Sequence, residues 1–393
     1  MKTTTKNKQA ELLQNPEKFT DTYFTDSKNA LQQEEINPKI RKKVFARIDE
    51  EQGQIAGLER AAQTTNQITN DEVDIYINEN NTFESKEPLM VLEGPIQQLL
   101  EPETINLGII SHHLTEANPG YEHPEPEEYG EALGEIADIF GEVDVPFADF
   151  GARHYHPLQQ AELGRAAIDN GAVNHSTIAG AETHGKEPTG TMPHAFVLPF
   201  AYEHGMENAT LEAAKAMDNY TDKTTPVLID TANKEATDLL KVCGYMEEEY
   251  GEDFELVARM DTCGENYAET SRNISSVDDY LTGKGMTVEA VMGLAEDLHE
   301  NGYRDNVTLA ISSGMGNPEK ARQFAKEHSI FEANEGYSMF DVVGAGSFND
   351  SDNIHATSDI YEIEGEPVAK VGREQDIEEI NQYIDQNMVE VTQ

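Results

Sequence analysis

Only two cysteines, Cys243 and Cys263, occur in 393 residues. Two thiols cannot build a disulfide framework or the four-thiolate set of a structural zinc site. Basic side chains are also few: 28 Lys and Arg stand against 75 Asp and Glu, a formal net charge of −47. That balance excludes a surface built to coat nucleic-acid phosphates or an anionic membrane. No apolar run approaches 18 residues, so no membrane span is expected. The start, MKTTTKNKQAELLQ, carries lysines but no apolar h-region, so no signal peptide is expected. The expectation is a soluble, reduced, cytoplasmic protein.

What is present suffices for a core. Hydrophobic residues make up 37% of the chain and recur with regular spacing, which argues against disorder despite the charge. The length suits one large α/β domain plus a smaller one, or two to three ordinary domains. The carboxylates are spread along the chain, as on an acidic globular surface. Such a surface suits concentrated salt, which screens self-repulsion to a few ångströms; a halophilic cytoplasm is the expected setting. The first 50 residues run against this trend, with ten basic and eight acidic side chains. Half of these cations sit in PKIRKKVFAR (38–47), read either as an element packed on an acidic neighbour or as an attractor of anionic substrate.

Residues 72–110 read as short β segments, EVDIYI and then EPLMVLEGP. The acidic, proline-rich NPGYEHPEPEEYG (118–130) reads as a loop and a domain seam. From about residue 145 the pattern changes. Buried-strand candidates DVPFADF, TPVLID, FELVARMD, NVTLAISSG and MFDVVGAG alternate with helical patterns over 233–249 and 288–301. In the first of these helices Ala236, Leu239, Leu240, Cys243 and Met246 fall on one apolar face. Parallel strands separated by helices argue for a doubly wound sheet or a closed β/α barrel. Each strand candidate ends on residues capable of chemistry: Phe150 and Arg153, Asp230, Arg259 and Asp261, Ser312 and Gly314, Gly344 and Gly346. Sites in such folds form at the carboxyl ends of strands, so five coincidences point to one rim.

SSGMGNP (312–318) and VVGAGS (342–347) follow apolar strands, where glycines let backbone N–H groups close on a phosphate or simply make a turn. Neither is a Walker sequence or a full dinucleotide fingerprint. Asp230 and Asp261 suit helix caps, or groups that hold ribose hydroxyls, magnesium or a cationic sugar. Arg153 and Arg259, in a chain poor in cations, suit an anion or a carboxylate partner. His112, His113, His123, His154 and His156 invite a metal reading. No HExxH is present and the spacings match no zinc pattern, so no metal-ligating residues are expected. His175 and His194 precede apolar runs and read as packed rings, with His194 the candidate catalyst.

Taken together, TDTYF (20–24), EPLMVLEGP with EPETINLGIIS (87–111), DFGARHYHP (149–157), STIAG (176–180), GTMPHAF (190–196), LIDTANKEA (228–236), RMDTCGE (259–265), SSGMGNPEKARQF (312–324) and DVVGAGS (341–347) resemble, in content and order, the nicotinate phosphoribosyltransferases. The archaeal-type members are the nearest in pattern, and the resemblance spans most of residues 20–372. It implies an α/β fold: an irregular β/α barrel of the type II phosphoribosyltransferases over 116–347, and an α/β sandwich domain from 26–115 plus 348–393. Residues 1–25 would reach a dimer interface, with active sites shared between subunits. The implied enzyme makes nicotinate mononucleotide and pyrophosphate from nicotinate and phosphoribosyl pyrophosphate, coupled to ATP hydrolysis, in NAD biosynthesis. Magnesium would accompany the pyrophosphate substrate and ATP.

The resemblance also implies roles. Phe150 would be one face of a clamp on the pyridine ring, and Tyr23 the other face, contributed by a partner chain. Arg153 and Arg259 would face the phosphates and the pyridine substituent, and Asp261 the ribose hydroxyls. Asp230 would help hold the base and the electron-poor sugar carbon. Gly314, Gly316, Gly344 and Gly346 would close on the 5′-phosphate. His194 would be the phosphorylated histidine, and Ser176 would stand where nicotinamide-using relatives carry an aspartate. Two departures are visible: too few cysteines for the zinc ribbon of many archaeal relatives, and His154 where many have a second basic residue. Nicotinamide or quinolinate as the base, a silent nucleotide-binding protein on the same fold, and a histidine metal-binding protein are the competing readings.

Overall fold

The computed structural model describes residues 2–271, 280–346 and 353–391. Ser347, the last residue of the second glycine motif, and the opening residues of the expected 348–393 segment lie outside these.

Thirteen strands are described: β1 (Lys39–Ala46), β2 (Gly53–Gln54), β3 (Asp74–Asn78), β4 (Thr82–Phe83), β5 (Met90–Pro95), β6 (Phe147–Asp149), β7 (Thr225–Leu228), β8 (Leu256–Met260), β9 (Val307–Ile311), β10 (Val342–Ala345), β11 (Ala356–Ile363), β12 (Glu366–Pro367) and β13 (Met388–Glu390). One sheet, ordered β12-β11-β1-β5-β3-β13, is antiparallel and takes strands from both ends of the chain. The basic strand β1 lies inside it. Its inward residues Ile40 and Val44 are buried, and its cations meet carboxylates on the flanking strands. Arg41 pairs with Glu93 and Glu362 at 3.2 Å each, and Lys39 with Glu93. Lys42, only 2% exposed, reaches Glu103 at 3.1 Å and the Leu99 carbonyl at 2.7 Å. The cation cluster is thus held by acidic neighbours within the fold.

The second sheet is parallel, in the order β6-β10-β9-β8-β7. Its strands are near-continuous apolar runs because helices cover them. The helix Glu235–Tyr250 buries Ala236, Leu239, Cys243 and Met246, and Val288–Glu300 buries Val291, Leu294 and Leu298. These pack with Val227, Leu256, Leu309 and Val343 into one core, separate from the core under the antiparallel sheet. The expected closed barrel is not completed by strand pairing among the described residues. Beyond β6 the row continues through single contacts: His175 bridges Asp149, and Thr189 N–H donates to the His175 carbonyl at 3.1 Å. Irregular backbone cannot sustain a ladder there.

Two local readings differ from the structure. Residues 102–110 were expected within a β region but belong to the helix Pro102–Ala117. Pro102 opens it, where a missing N–H costs nothing. Eleven of its residues are buried, so it shows no polar face to mark it as helical. The expected loop 118–130 ends early, at the helix Pro126–Gly141. Pro126 again starts the first turn, and the Glu128 carboxylate accepts the Glu125 N–H at 3.0 Å. At the chain start, the helix Lys2–Gln14 lies against its own chain, Lys8 reaching the Leu158 carbonyl and Glu162.

Candidate active site

The carboxyl ends of the five parallel strands meet at a two-lobed cleft, with about 600 and 680 Å³ of empty space in its lobes. Tyr23, Arg153, Arg259 and Asp261 line both lobes. One lobe adds Phe150, Ser312, Gly314, Gly316, Gly344 and Gly346; the other adds His194, Lys370 and Arg373.

Arg259, next to last in β8, organises the shared wall. Its Nε donates to Thr191 Oγ1 at 2.7 Å and one terminal nitrogen to the Met192 carbonyl at 3.1 Å. The other nitrogen donates to Asp261 Oδ2 at 3.0 Å and Ser312 Oγ at 3.2 Å. Ser312 in turn donates to Asp261 Oδ1 at 2.8 Å. Four of the five guanidinium N–H groups thus have partners among the described residues. Arg259 locks the strand ends to the 191–192 segment and has one donor left for a ligand. Asp261 is 28% exposed and presents its remaining lone pairs to the cleft.

The glycine lobe is shaped by Phe150. A Cβ on Gly344 would run into the Phe150 ring, and one on Gly346 would lie 2.6 Å from the Phe150 carbonyl oxygen. Glycine at 344 lets the aromatic ring lie against β10, and glycine at 346 lets the Phe150 backbone pass close by. Gly314 has φ +74°, a left-handed turn that side chains rarely adopt. Lys320 braces that turn by donating to the Ser313 carbonyl at 2.8 Å. Behind Phe150, Asp149 is fully buried and accepts from Tyr129 at 2.7 Å and Gly151 N–H at 2.8 Å. These bonds fix the turn that carries Phe150 and Arg153. His154 Nδ1–H donates to the Gly346 carbonyl, 2.6 Å away, and the ring stacks on His355 at 4.0 Å. Burial, His355 and Arg153 push its imidazolium well below the ordinary range, so at neutral pH it adds no positive charge to the lobe.

In the other lobe His194 opens the eleven-residue helix His194–His204. Its Nε2 is 2.7 Å from Lys370 Nζ and 3.6 Å from Asp230 Oδ2. Lys370 also contacts Asp230 directly and lies 3.4 Å from the Asp261 carbonyl. An ammonium only donates, so His194 Nε2 holds a lone pair toward it. Burial and the Lys370 charge keep this ring neutral, its pKa well below the ordinary value. Asp230 is 1% exposed, and its Oδ1 has no partner among the described residues.

The structure therefore brings together Tyr23, Phe150, Arg153, His194, Arg259, Asp261 and the four glycines, with Asp230 directly behind His194. Two expectations change. Tyr23, expected from a partner chain, lies in the cleft of its own chain, in contact with its own Arg153 and 3.2 Å from Asp21 Oδ2. Its position follows from Asp21 bridging Thr177 and from Thr22 N–H donating to the Ser176 carbonyl at 2.8 Å. Ser176 does not reach the cleft. It is 0% exposed under that crossing, and its hydroxyl has no partner among the described residues. Sequence reasoning missed Lys370 and Arg373. The one available signal was a lysine inside the apolar run EPVAKVG of a chain poor in cations. Arg373 sits 3.4 Å from Glu265 and 3.5 Å from Asp359 and adds a third guanidinium to the lobe, beside Arg153 and Arg259.

Known proteins share this arrangement at the level of fold. A family model for the N-terminal domain of quinolinate phosphoribosyl transferase matches residues 21–113. A solved nicotinate phosphoribosyltransferase from Vibrio cholerae is 13% identical over 94% of this chain and 96% of its own, with a TM-score of 0.63. One from Porphyromonas gingivalis is 14% identical over 93% and 97%, with a TM-score of 0.61. The class so defined is an α/β protein of the type II phosphoribosyltransferase fold. Both of these solved structures, matched over nearly their whole length, are nicotinate phosphoribosyltransferases.

Proposed function

We propose that the chain is a nicotinate phosphoribosyltransferase, forming nicotinate mononucleotide and pyrophosphate from nicotinate and phosphoribosyl pyrophosphate, with ATP hydrolysis coupled. The observation that carries this reading is the junction of two lobes around Arg259 and Asp261. One lobe has an aromatic ring beside glycine turns; the other has a nucleophile-capable imidazole beside an ammonium.

In this reading Phe150 and Tyr23 flank the flat heterocycle, whose face suits aromatic contact. Arg153 and the remaining N–H of Arg259 meet the carboxylate and phosphate charge. The turns at Gly314–Gly316 and Gly344–Gly346 receive the 5′-phosphate, and Asp261 receives the ribose hydroxyls. Asp230 and Asp261 bring negative charge near a sugar carbon that becomes electron-poor as pyrophosphate leaves. Among the described residues the cleft holds no cage of three carboxylates or imidazoles. Magnesium would arrive with the pyrophosphate and neutralise leaving-group charge, with Asp261 the solvent-accessible carboxylate facing it.

His194 at a helix N-terminus suits an incoming phosphoryl group, because backbone N–H groups and the helix dipole favour anions there. Its Nε2 lone pair is engaged by Lys370, so attack on ATP requires that ammonium to turn to the phosphate oxygens. A neutral imidazole is the nucleophilic form, and the low pKa of His194 secures it at neutral pH. The homodimer, the concentrated-salt setting and an archaeal origin belong to the same proposal.

Quinolinate is the second reading, favoured by the family model over residues 21–113. It carries one more carboxylate, for which Arg373 and Lys370 are candidate partners. Product identification with each base, with and without ATP, separates the two.

A further inference from the structure

The helix Pro102–Ala117 touches the cleft at Glu103 and, about 14–15 Å further along at 1.5 Å per residue, enters a cluster of imidazoles outside the cleft lining. His112 and His113 lie there on the helix. His123 from the following loop stacks on His112 at 4.5 Å, and His156 meets His112 edge-on at 5.0 Å. Glu116 closes the group: its Oε1 is 3.5 Å from His112 Nε2 and its Oε2 is 3.4 Å from His113 Nδ1. The three ligand-capable atoms all lie within 4.8 Å of one another.

We infer that His112 Nε2, His113 Nδ1 and the Glu116 carboxylate form a binding site for one divalent first-row transition ion of the zinc type. Four ligands around zinc, at bonds of about 2.0–2.1 Å, stand about 3.4 Å apart along each edge of the tetrahedron. Each histidine–glutamate separation has about this length, one to each carboxylate oxygen, and with one oxygen as ligand the three atoms lie within 4.8 Å, so a small turn of the side chains closes them on the ion. Two imidazoles and one carboxylate select zinc-like ions over magnesium or calcium, which prefer oxygen donors throughout.

The surroundings prepare the site. Gly57 has φ +82°, and a Cβ there would lie 2.5 Å from His113 Cβ, so the neighbouring backbone holds His113 in place. His156 Nδ1 already accepts the Leu158 N–H at 3.2 Å, which makes His156 a wall and not a ligand. His123 Nε2 meets the His112 carbonyl at 2.9 Å, which assigns its proton there. Its Nδ1 is buried with no partner among the described residues but lies outside the group of atoms within 4.8 Å of one another, so water is the candidate fourth ligand.

The test uses the full-length chain without a histidine tag, stripped with EDTA and titrated with ZnCl2 by equilibrium dialysis in molar KCl, which screens diffuse binding to the acidic surface. The expected result is one zinc ion per chain. Affinity should fall by about tenfold or more in His113→Ala and in Glu116→Gln, on the scale seen when shells around a metal are altered. The His299→Ala variant, whose ring stacks on Tyr337 at 4.1 Å in another region, should bind as the parent does. Glu116 is 56% exposed, so its replacement leaves the fold intact. Less than half an equivalent of zinc at saturation would overturn the inference. So would an affinity unchanged in Glu116→Gln, or one lost equally in His299→Ala.

Discussion

Lys370 is the residue on which the His194 lobe turns. Its ammonium faces Asp230, His194 and a backbone carbonyl in a site where it is 9% exposed on its side chain. Replacing it by methionine leaves the Asp230 carboxylate buried and unopposed, which costs on the order of 3–5 kcal/mol. Denaturant unfolding should show that loss, and Asp230→Asn in the same chain should recover most of it. The His194 imidazole should also titrate at higher pH in Lys370→Met, because the nearest positive charge is gone; histidine NMR titration reads this directly. For His194→Ala the expectation is loss of ATP hydrolysis and of acid-labile protein phosphorylation, with slow ATP-independent synthesis retained. Labelling by γ-labelled ATP that persists in this variant would contradict the assignment. Ser176 behaves differently from its motif. Its hydroxyl is buried without a partner among the described residues, so Ser176→Ala should leave stability and base choice nearly unchanged. Ser176→Asp should lower the melting temperature sharply by burying a carboxylate, and should not exchange nicotinate for nicotinamide.

Strand ends carry the site, and they were legible because parallel strands buried on both faces leave unbroken apolar runs in the sequence. β6 to β10 each fall inside a run read as a strand, and Phe150, Asp230, Arg259, Ser312 and Gly344 sit at or just past their carboxyl ends. The helices Glu235–Tyr250 and Val288–Glu300 were legible from their single apolar faces. The helix Pro102–Ala117 was not, since burial on all sides erases the period that marks an amphipathic helix. Lys370 was hidden for another reason. It arrives from the far end of the chain, beyond the antiparallel sheet, and nothing local in EPVAKVG announces a partner 140 residues earlier. The glycines of β10 were read as a phosphate loop, whereas their contacts show that they also seat Phe150. Gly344→Ala should push that ring from its place, at a cost of about 1–3 kcal/mol. The expected signature is a raised KM for the base with the far-ultraviolet circular dichroism of the parent. An unchanged KM would separate Phe150 from base binding.

The whole molecule must hold −47 formal charges together. Folding and activity should therefore rise with KCl into the molar range, as screening shortens the reach of repulsion from about 10 Å at 0.1 M. Full stability in 0.1 M salt would contradict the halophilic proposal. Once salt has screened that repulsion, the histidines set the acid limit. His112 and His156 are held down to about 4 and about 3, and His123, His154, His194 and His328 are also lowered, all chiefly by burial. The unfolded chain takes up these protons near pH 6.5 while the folded chain does not. Stability in molar KCl should thus be complete above about pH 6.5 and fall as pH drops toward 4. Buried Asp149 and Glu235, whose pKa values are raised by burial, oppose the loss at the lower end of this window. The central claim, that this fold and cleft make a mononucleotide from nicotinate, is tested most directly by product analysis. The purified chain in molar KCl is given phosphoribosyl pyrophosphate, magnesium and nicotinate, nicotinamide or quinolinate, each with and without ATP. Nicotinate mononucleotide and pyrophosphate formed from nicotinate, faster with ATP and without release of carbon dioxide, is the expected result. Product from quinolinate alone, independent of ATP and with carbon dioxide released, would contradict it.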